Sequence, residues 1–157
     1  MTSVAVTMNP ITPTRESPLR IATGSLSFRS DGNADMIKIT AAVEKALKQS
    51  ELSDGTVTLF APGATGALTT LEYEPGVVHD LQHTLDAITP PQGEYRHNLT
   101  FGDANGHSHV RAGLIGPSLV VPFNEGKLTL GIYQDLVFCD FDARPRERAL
   151  VVQVMGI

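Results

Sequence analysis

Apolar residues change their spacing several times along the chain, and each change marks a predicted element. Leu19, Ile21, Leu26 and Phe28 recur at two or small multiples of two, with a switch after Ile21, which predicts a half-buried strand over 19–29 with a bend near Gly24. After a turn at Ser30 to Asn33, Ile39, Val43, Ala46 and Leu47 fall three or four apart, predicting a helix over about 41–50 with Thr40 as its cap. Asp54 and Gly55 form a turn into the strand TVTLFA, with Val57 and Leu59 on one face. Beyond the glycine-rich GATGAL, the segment EPGVVHDLQHTLDAI carries a helical stripe of Val77 or Val78, Leu81, Leu85 and Ile88. Pro75 suits its first turn, and Glu74 adds favourable charge there.

From Pro90 to Ser108 no period survives, and a stretch of that length in a small domain reads as a binding loop. The short apolar piece VRAGLIG follows. SLVVPF, KLTLGIYQ, LVFCDFD and ALVVQVMG then read as four strands, with NEG at 124–126 as a hairpin turn and ARPRER as a second connection. Both faces of LVFCDF and ALVVQV are largely apolar, as in central strands or a sheet covered on both sides. No βα repeat continues into the C-terminal half. The predicted fold class is α+β, a mainly antiparallel β-sheet sandwich with two principal helices. Residues 1–18 hold Pro10, Pro13 and Pro18 among Thr, Ser and Asn without a buriable face, so they are expected to form a flexible N-terminal arm before a single domain over 19–157.

Composition narrows the function classes. A chain of 157 residues can bury a core without staples, and its one cysteine, Cys139, excludes an internal disulfide framework and fits a reducing compartment. Twelve Lys and Arg against seventeen Asp and Glu give a net charge of -5, with no basic run, which argues against nucleic acid as a partner. The apolar runs are too short for a membrane span, and the first residues lack the pattern of a secretory signal, so no membrane partner and a cytoplasmic location are expected.

Five histidines carry most of the candidate chemistry. His97, His107 and His109 lie with Tyr95, Asp103 and Asn105 in YRHNLTFGDANGHSHV, a set able to bind a divalent cation or a phosphorylated substrate, or to form an ordinary solvated loop. Residues 107 and 109 point to one side if extended and to different sides if helical. His79 and His83 share a helical face, but no H-E-x-x-H pattern is present and the pair reads as solvent-exposed. GATGALT lacks both phosphate-loop signatures; Gly63 and Gly66 permit close backbone approach, with a turn or an anion cradle as the alternatives. Cys139, in an apolar strand with no neighbouring base, reads as a structural thiol.

In order and interval, GATGALTTLEYEPGVVHDL, YRHN, GDANGHSHVRAGLIGPSLVVP and GKLTLGIYQDLVFCDFD resemble the motifs of the YjbQ family, UPF0047, whose members are often labelled secondary thiamine-phosphate synthases. The resemblance implies a compact antiparallel α+β homotrimer with a histidine pocket for metal or anion, and weak formation of thiamine phosphate from phosphorylated pyrimidine and thiazole precursors. It assigns catalytic roles to His97, His109 and Glu72, and substrate contacts to Thr65, Asn105 and Gln134. Metal ligands would be His97, His109 and Asp103, with His107 as a conditional member and the metal's identity open. In this chain Gly63 stands where the family has a histidine, Ala64 replaces a hydroxyl residue, Asn98 replaces an aspartate and Tyr133 replaces a tryptophan. Two readings follow: a weak transferase, or a non-catalytic homotrimer that binds a metal or small anion in a degenerated site.

Overall fold

The computed structural model describes residues 18–157. In chain order the elements are β1 (Arg20–Ser30), β2 (Asp35–Lys38), α1 (Thr40–Ser50), β3 (Gly55–Phe60), β4 (Gly66–Leu71) and α2 (Pro75–Ile88). They are followed by α3 (Arg96–Phe101), α4 (Gly106–Ile115), β5 (Ser118–Asn124), β6 (Lys127–Leu128), β7 (Asp135–Asp140) and β8 (Arg146–Gly156). All strand pairings are antiparallel: a five-stranded sheet in the order β1-β8-β3-β5-β6 faces a three-stranded sheet, β2-β7-β4. The α+β sandwich read from the sequence is thus the architecture. The predicted arm, Pro18 excepted, lies outside the described residues. Among the described residues, no helix is long and apolar enough to cross a membrane.

Alternation decides which side of each strand is buried. Val57, Leu59, Val121, Phe123, Leu150, Val152 and Val154 point inward from the larger sheet and meet Leu68, Leu136 and Phe138 from the smaller one. Val43 and Leu47 bring α1 against the same core. The other face of the smaller sheet, with Met36, Ala67, Val137 and Cys139, is covered by Leu81 and Leu85 of α2 and Ala112 of α4. This is why LVFCDF is apolar throughout: β7 is buried on both faces. Burial pushes the Cys139 thiol up to about 12, as expected of an inert packing residue.

Several local expectations change. Pairing of β1 with β8 runs without interruption past Gly24, opposite Val152, so no bulge breaks the strand where the bend was expected. Thr40 does not cap α1; its hydroxyl donates to Asp135 and accepts from the Leu136 amide, fixing the helix start to β7 instead. Residues 35–38 and 66–71, not predicted as strands, form β2 and β4. KLTLGIYQ supplies only the two residues of β6, while Arg146–Arg148, read as part of a connection, begin β8. The presumed loop over 90–108 holds α3 and the start of α4, and these make four helices among the described residues. Glu74 does cap α2, accepting from the amides of Gly76 and Val77.

Candidate functional site

The polar site grows out of the core pattern. Counting back from Leu150, the next inward positions of β8 are Arg148 and Arg146; the corresponding position of β7, after Leu136 and Phe138, is Asp140. The apolar layer between the sheets therefore ends in charge. Asp140 is fully buried and takes both Nε and Nη2 of Arg148 on its two carboxylate oxygens. Arg148 Nη2 also donates to Thr65 Oγ1 at 3.0 Å, and Thr65 Oγ1 donates to Asp142 at 3.3 Å. Asp142 in turn accepts from Arg146 Nε at 2.9 Å. Burial alone would raise the Asp142 carboxyl, but Arg146, Arg148 and Thr65 together hold it below the usual carboxylate range. The bonds from Asp140 keep the Arg148 guanidinium charged, shifting it upward.

Above this plug lies an open recess of roughly 530 Å³. His97 of α3 and His109 of α4 form one wall, with ring centroids 4.4 Å apart. His109 Nδ1 lies 3.0 Å from the Ala64 carbonyl oxygen, which can only accept; Nδ1 therefore carries a hydrogen, and in the neutral ring Nε2 is the nitrogen with the lone pair. The backbone at 64 sets this tautomer, so the absence of a hydroxyl on Ala64 does not remove it. His97 Nε2 is 3.4 Å from Asp103 Oδ1, and Asn105, with its amide nitrogen turned toward them, reaches His97 Nε2 at 3.1 Å and Asp103 at 3.2 Å. The predicted His97, Asp103, Asn105, His109 and Thr65 are thus brought together, although the two histidines come from separate helices.

Other predicted members lie elsewhere. Helix α4 turns His107 away from His109, into the protein beside the Tyr95 ring, where its Nδ1 has no partner among the described residues. Glu72 and Gln134 meet in another recess, beside Ile132 and Tyr133. Since β4 separates Thr65 from Glu72 by seven residue steps, the two ends lie about 23 Å apart. Gln134 moreover spends its amide on Gly131 N and Thr70 Oγ1. Among the described residues, no three His, Cys, Asp or Glu side chains are placed to hold one metal ion. The groove between α1 and β1, lined mainly by small residues with Lys45, has no acid or imidazole. His79 and His83 are stacked on the exposed face of α2, as expected.

Sequence reading missed Asp140, Asp142, Arg146 and Arg148. Their signal was the charge alternation in DFDARPRER, set against an apolar strand on either side. Two departures also gain a physical account. Asn98 accepts from Gly106 N at 2.9 Å, so an amide oxygen here ties α3 to the start of α4. Gly63 has φ +122°, and a Cβ built there meets only Arg148 Nη1, at 4.0 Å. The space is open but the backbone is glycine's, so restoring a histidine would strain the loop that positions His109.

Burial, then Arg111 and His109, lower the His107 pKa, opposed by Asp86. A histidine whose native pKa lies below its unfolded value of 6.5 contributes its full stability above that value and loses it as pH falls. Urea midpoints of the wild type should therefore decrease between about pH 7 and pH 5, and His107→Leu should flatten that window. Parallel curves for the two proteins would reject the assignment. Loss from Asp142, a depressed carboxylate, belongs to a lower and separable range.

The same arrangement of sheets and helices recurs in solved structures. A YbjQ-like protein from Sulfolobus solfataricus superposes with TM-score 0.84 at 27% identity, covering 88% of this chain and 99% of that one. A YjbQ/UPF0047 protein from Clostridium acetobutylicum gives TM-score 0.76 at 33% identity, over 83% and 98% of the two chains. In sequence, a UPF0047 protein of Archaeoglobus fulgidus is 34% identical over 130 residues, 83% of this chain and 98% of its own length. The model of UPF0047 proteins, YjbQ-like, matches residues 24–157, a span that begins within β1 and takes in both sheets, all four helices and every residue of the recess; the chain belongs to that family.

Proposed function

We propose that the recess binds a phosphorylated small molecule and supports at most weak transfer of the thiamine-phosphate-forming kind. The observation that carries this reading is the approach of His97 and His109 to 4.4 Å across from Arg146 and Arg148. Such a set supplies hydrogen-bond donors and a lone-pair nitrogen to a ligand rich in oxygen. Asp103, Asp142 and Glu147 also line the recess, so a phosphate partly neutralised by a divalent cation suits its charge better than a bare anion. With two imidazoles and, among the described residues, no third ligand in place, the recess does not fit a resident metal, and no step is assigned to one.

In the transfer, the bond between the pyrimidine methylene carbon and its diphosphate oxygen breaks while the thiazole nitrogen supplies the electron pair for the new C–N bond. Pyrophosphate leaves with the bonding pair, and the role of His97, His109 and the arginines is to stabilise that departing charge. The competing reading, a binding protein without turnover, shares the same ligand. Self-association as a homotrimer is part of the proposal: Ile132 and Tyr133 are 92% and 69% exposed beside Glu72, where a neighbouring copy would cover them. Sedimentation equilibrium should give three times 16.8 kDa. On that species, titration with magnesium pyrophosphate should show His97→Ala and His109→Ala each weakening binding by roughly tenfold. Unchanged affinity in both variants rejects the site; binding without product from the two precursors selects the non-catalytic reading.

A further inference from the structure

The two arginines of the recess are not equivalent. Arg148 is 13% exposed, and its Nε and Nη2 are committed to Asp140 and Thr65. Arg146 is 39% exposed, and only its Nε is engaged, by Asp142 at 2.9 Å. Among the described residues, its two terminal nitrogens have no partner. The carboxylate holding Nε is itself fixed by Thr65 and lies within 3.7 Å of Arg148, so the Arg146 guanidinium is anchored from behind with its fork left open. The fork shares the recess with His97 and His109.

We infer that Arg146 is the residue that recognises the ligand's phosphoryl group, with Nη1 and Nη2 donating in parallel to two oxygens of a terminal phosphate, while Arg148 only supports it. A planar guanidinium anchored at one nitrogen matches two phosphoryl oxygens without further ordering, whereas a lysine would offer a single point charge. Asp103 and Glu147, on the same recess, disfavour a second anion and confine recognition to one oxygen-rich end of the ligand. The inference rests on the phosphorylated-ligand reading above.

The test is calorimetric titration of the full chain with magnesium pyrophosphate, comparing wild type with Arg146→Gln, Arg146→Lys and Arg144→Gln, each checked for folding by its urea midpoint. Arg144 is exposed in the same connection and does not line the recess, so its loss removes equal charge from outside the site. Arg146→Gln should weaken binding by about 10- to 100-fold, Arg146→Lys by several-fold, and Arg144→Gln should match wild type. Wild-type affinity in Arg146→Gln, or an equal loss in Arg144→Gln, overturns the inference. Should Arg146→Gln fail to fold, Arg146→Lys carries the test, and full affinity there overturns it. No binding by wild type instead defeats the underlying ligand reading and the inference with it.

Discussion

Asp140→Ala is expected to cost about 3–5 kcal/mol of folding stability, because it strands a charged guanidinium in a nearly closed space. Asp140 is fully buried and serves three donors: two nitrogens of Arg148 and the Asp142 amide, at 3.0 Å. Its removal leaves Arg148 Nε and the Asp142 amide without an acceptor, leaves Arg148 Nη2 only Thr65 Oγ1, and takes away the charge that balances the guanidinium. The pair is not expected to be worth that amount as a pair. Burying two charges carries a desolvation cost close to the attraction between them, so Asp140→Leu with Arg148→Met should recover most of the loss. Urea unfolding of the two single variants and the double variant separates these terms. A loss below about 1 kcal/mol for Asp140→Ala would place the pair among weakly coupled surface ions instead.

The second large effect is expected at Gly106, the first residue of α4. A Cβ there would fall on Cβ of Tyr95, with Cγ of Tyr95 at 2.8 Å and Asn98 Oδ1 at 2.9 Å. Its φ lies outside the left-handed region, so alanine is acceptable to the backbone and the conflict is one of volume alone. Forcing the seam between α3 and α4 apart should cost about 1–3 kcal/mol. The same movement should widen the His97–His109 separation, because those two rings sit on the two helices that meet there. Gly106→Ala should therefore lose stability and pyrophosphate affinity together. Gly113→Ala on the same helix, where a Cβ meets nothing within 4 Å, should lose neither. Equal behaviour of the two variants would reject close packing as the cause.

What could be read from the chain alone follows from where the buried groups are apolar. Helix α2 keeps a clean stripe through Leu81 and Leu85, and the 124–126 turn has its glycine where positive φ is needed, at Gly126 with φ +70°. Both were legible. Helix α4 was not, because its buried face holds His107, Ser108 and Arg111; Arg111 is satisfied by Thr89 and Asp86 from the end of α2, a partner no local pattern discloses. Strand β4 was hidden by Gly66 and two threonines, since it packs a small-residue edge under Phe138. The recess was half legible. Residues 97–109 announced themselves by type, whereas Arg146 and Arg148 looked like solvent-facing charges until the carboxylates of Asp140 and Asp142 were placed opposite them. Glu72 and Gln134 carried the right chemistry for a shared site, but a fully extended strand put them at its far end.

The strand order carries a consequence for how the protein comes into being. β8 lies between β1 and β3, yet it follows both in the chain, and its register with β1 joins Arg20 to Gly156. On the ribosome the chain emerges at roughly 5–20 residues per second, so β1 must wait several seconds or longer for β8, its strand neighbour among the described residues. Until then the inner positions of β1 and β3, Leu26, Phe28, Val57 and Leu59 among them, have no common sheet to close over them. A nascent chain arrested before residue 146 would hold both histidines but neither arginine, and the larger sheet would be split in two. Closure by the most non-local pairing in the fold makes this a slow and all-or-none event, and it places the interval of greatest aggregation risk just before β8 is available to pair.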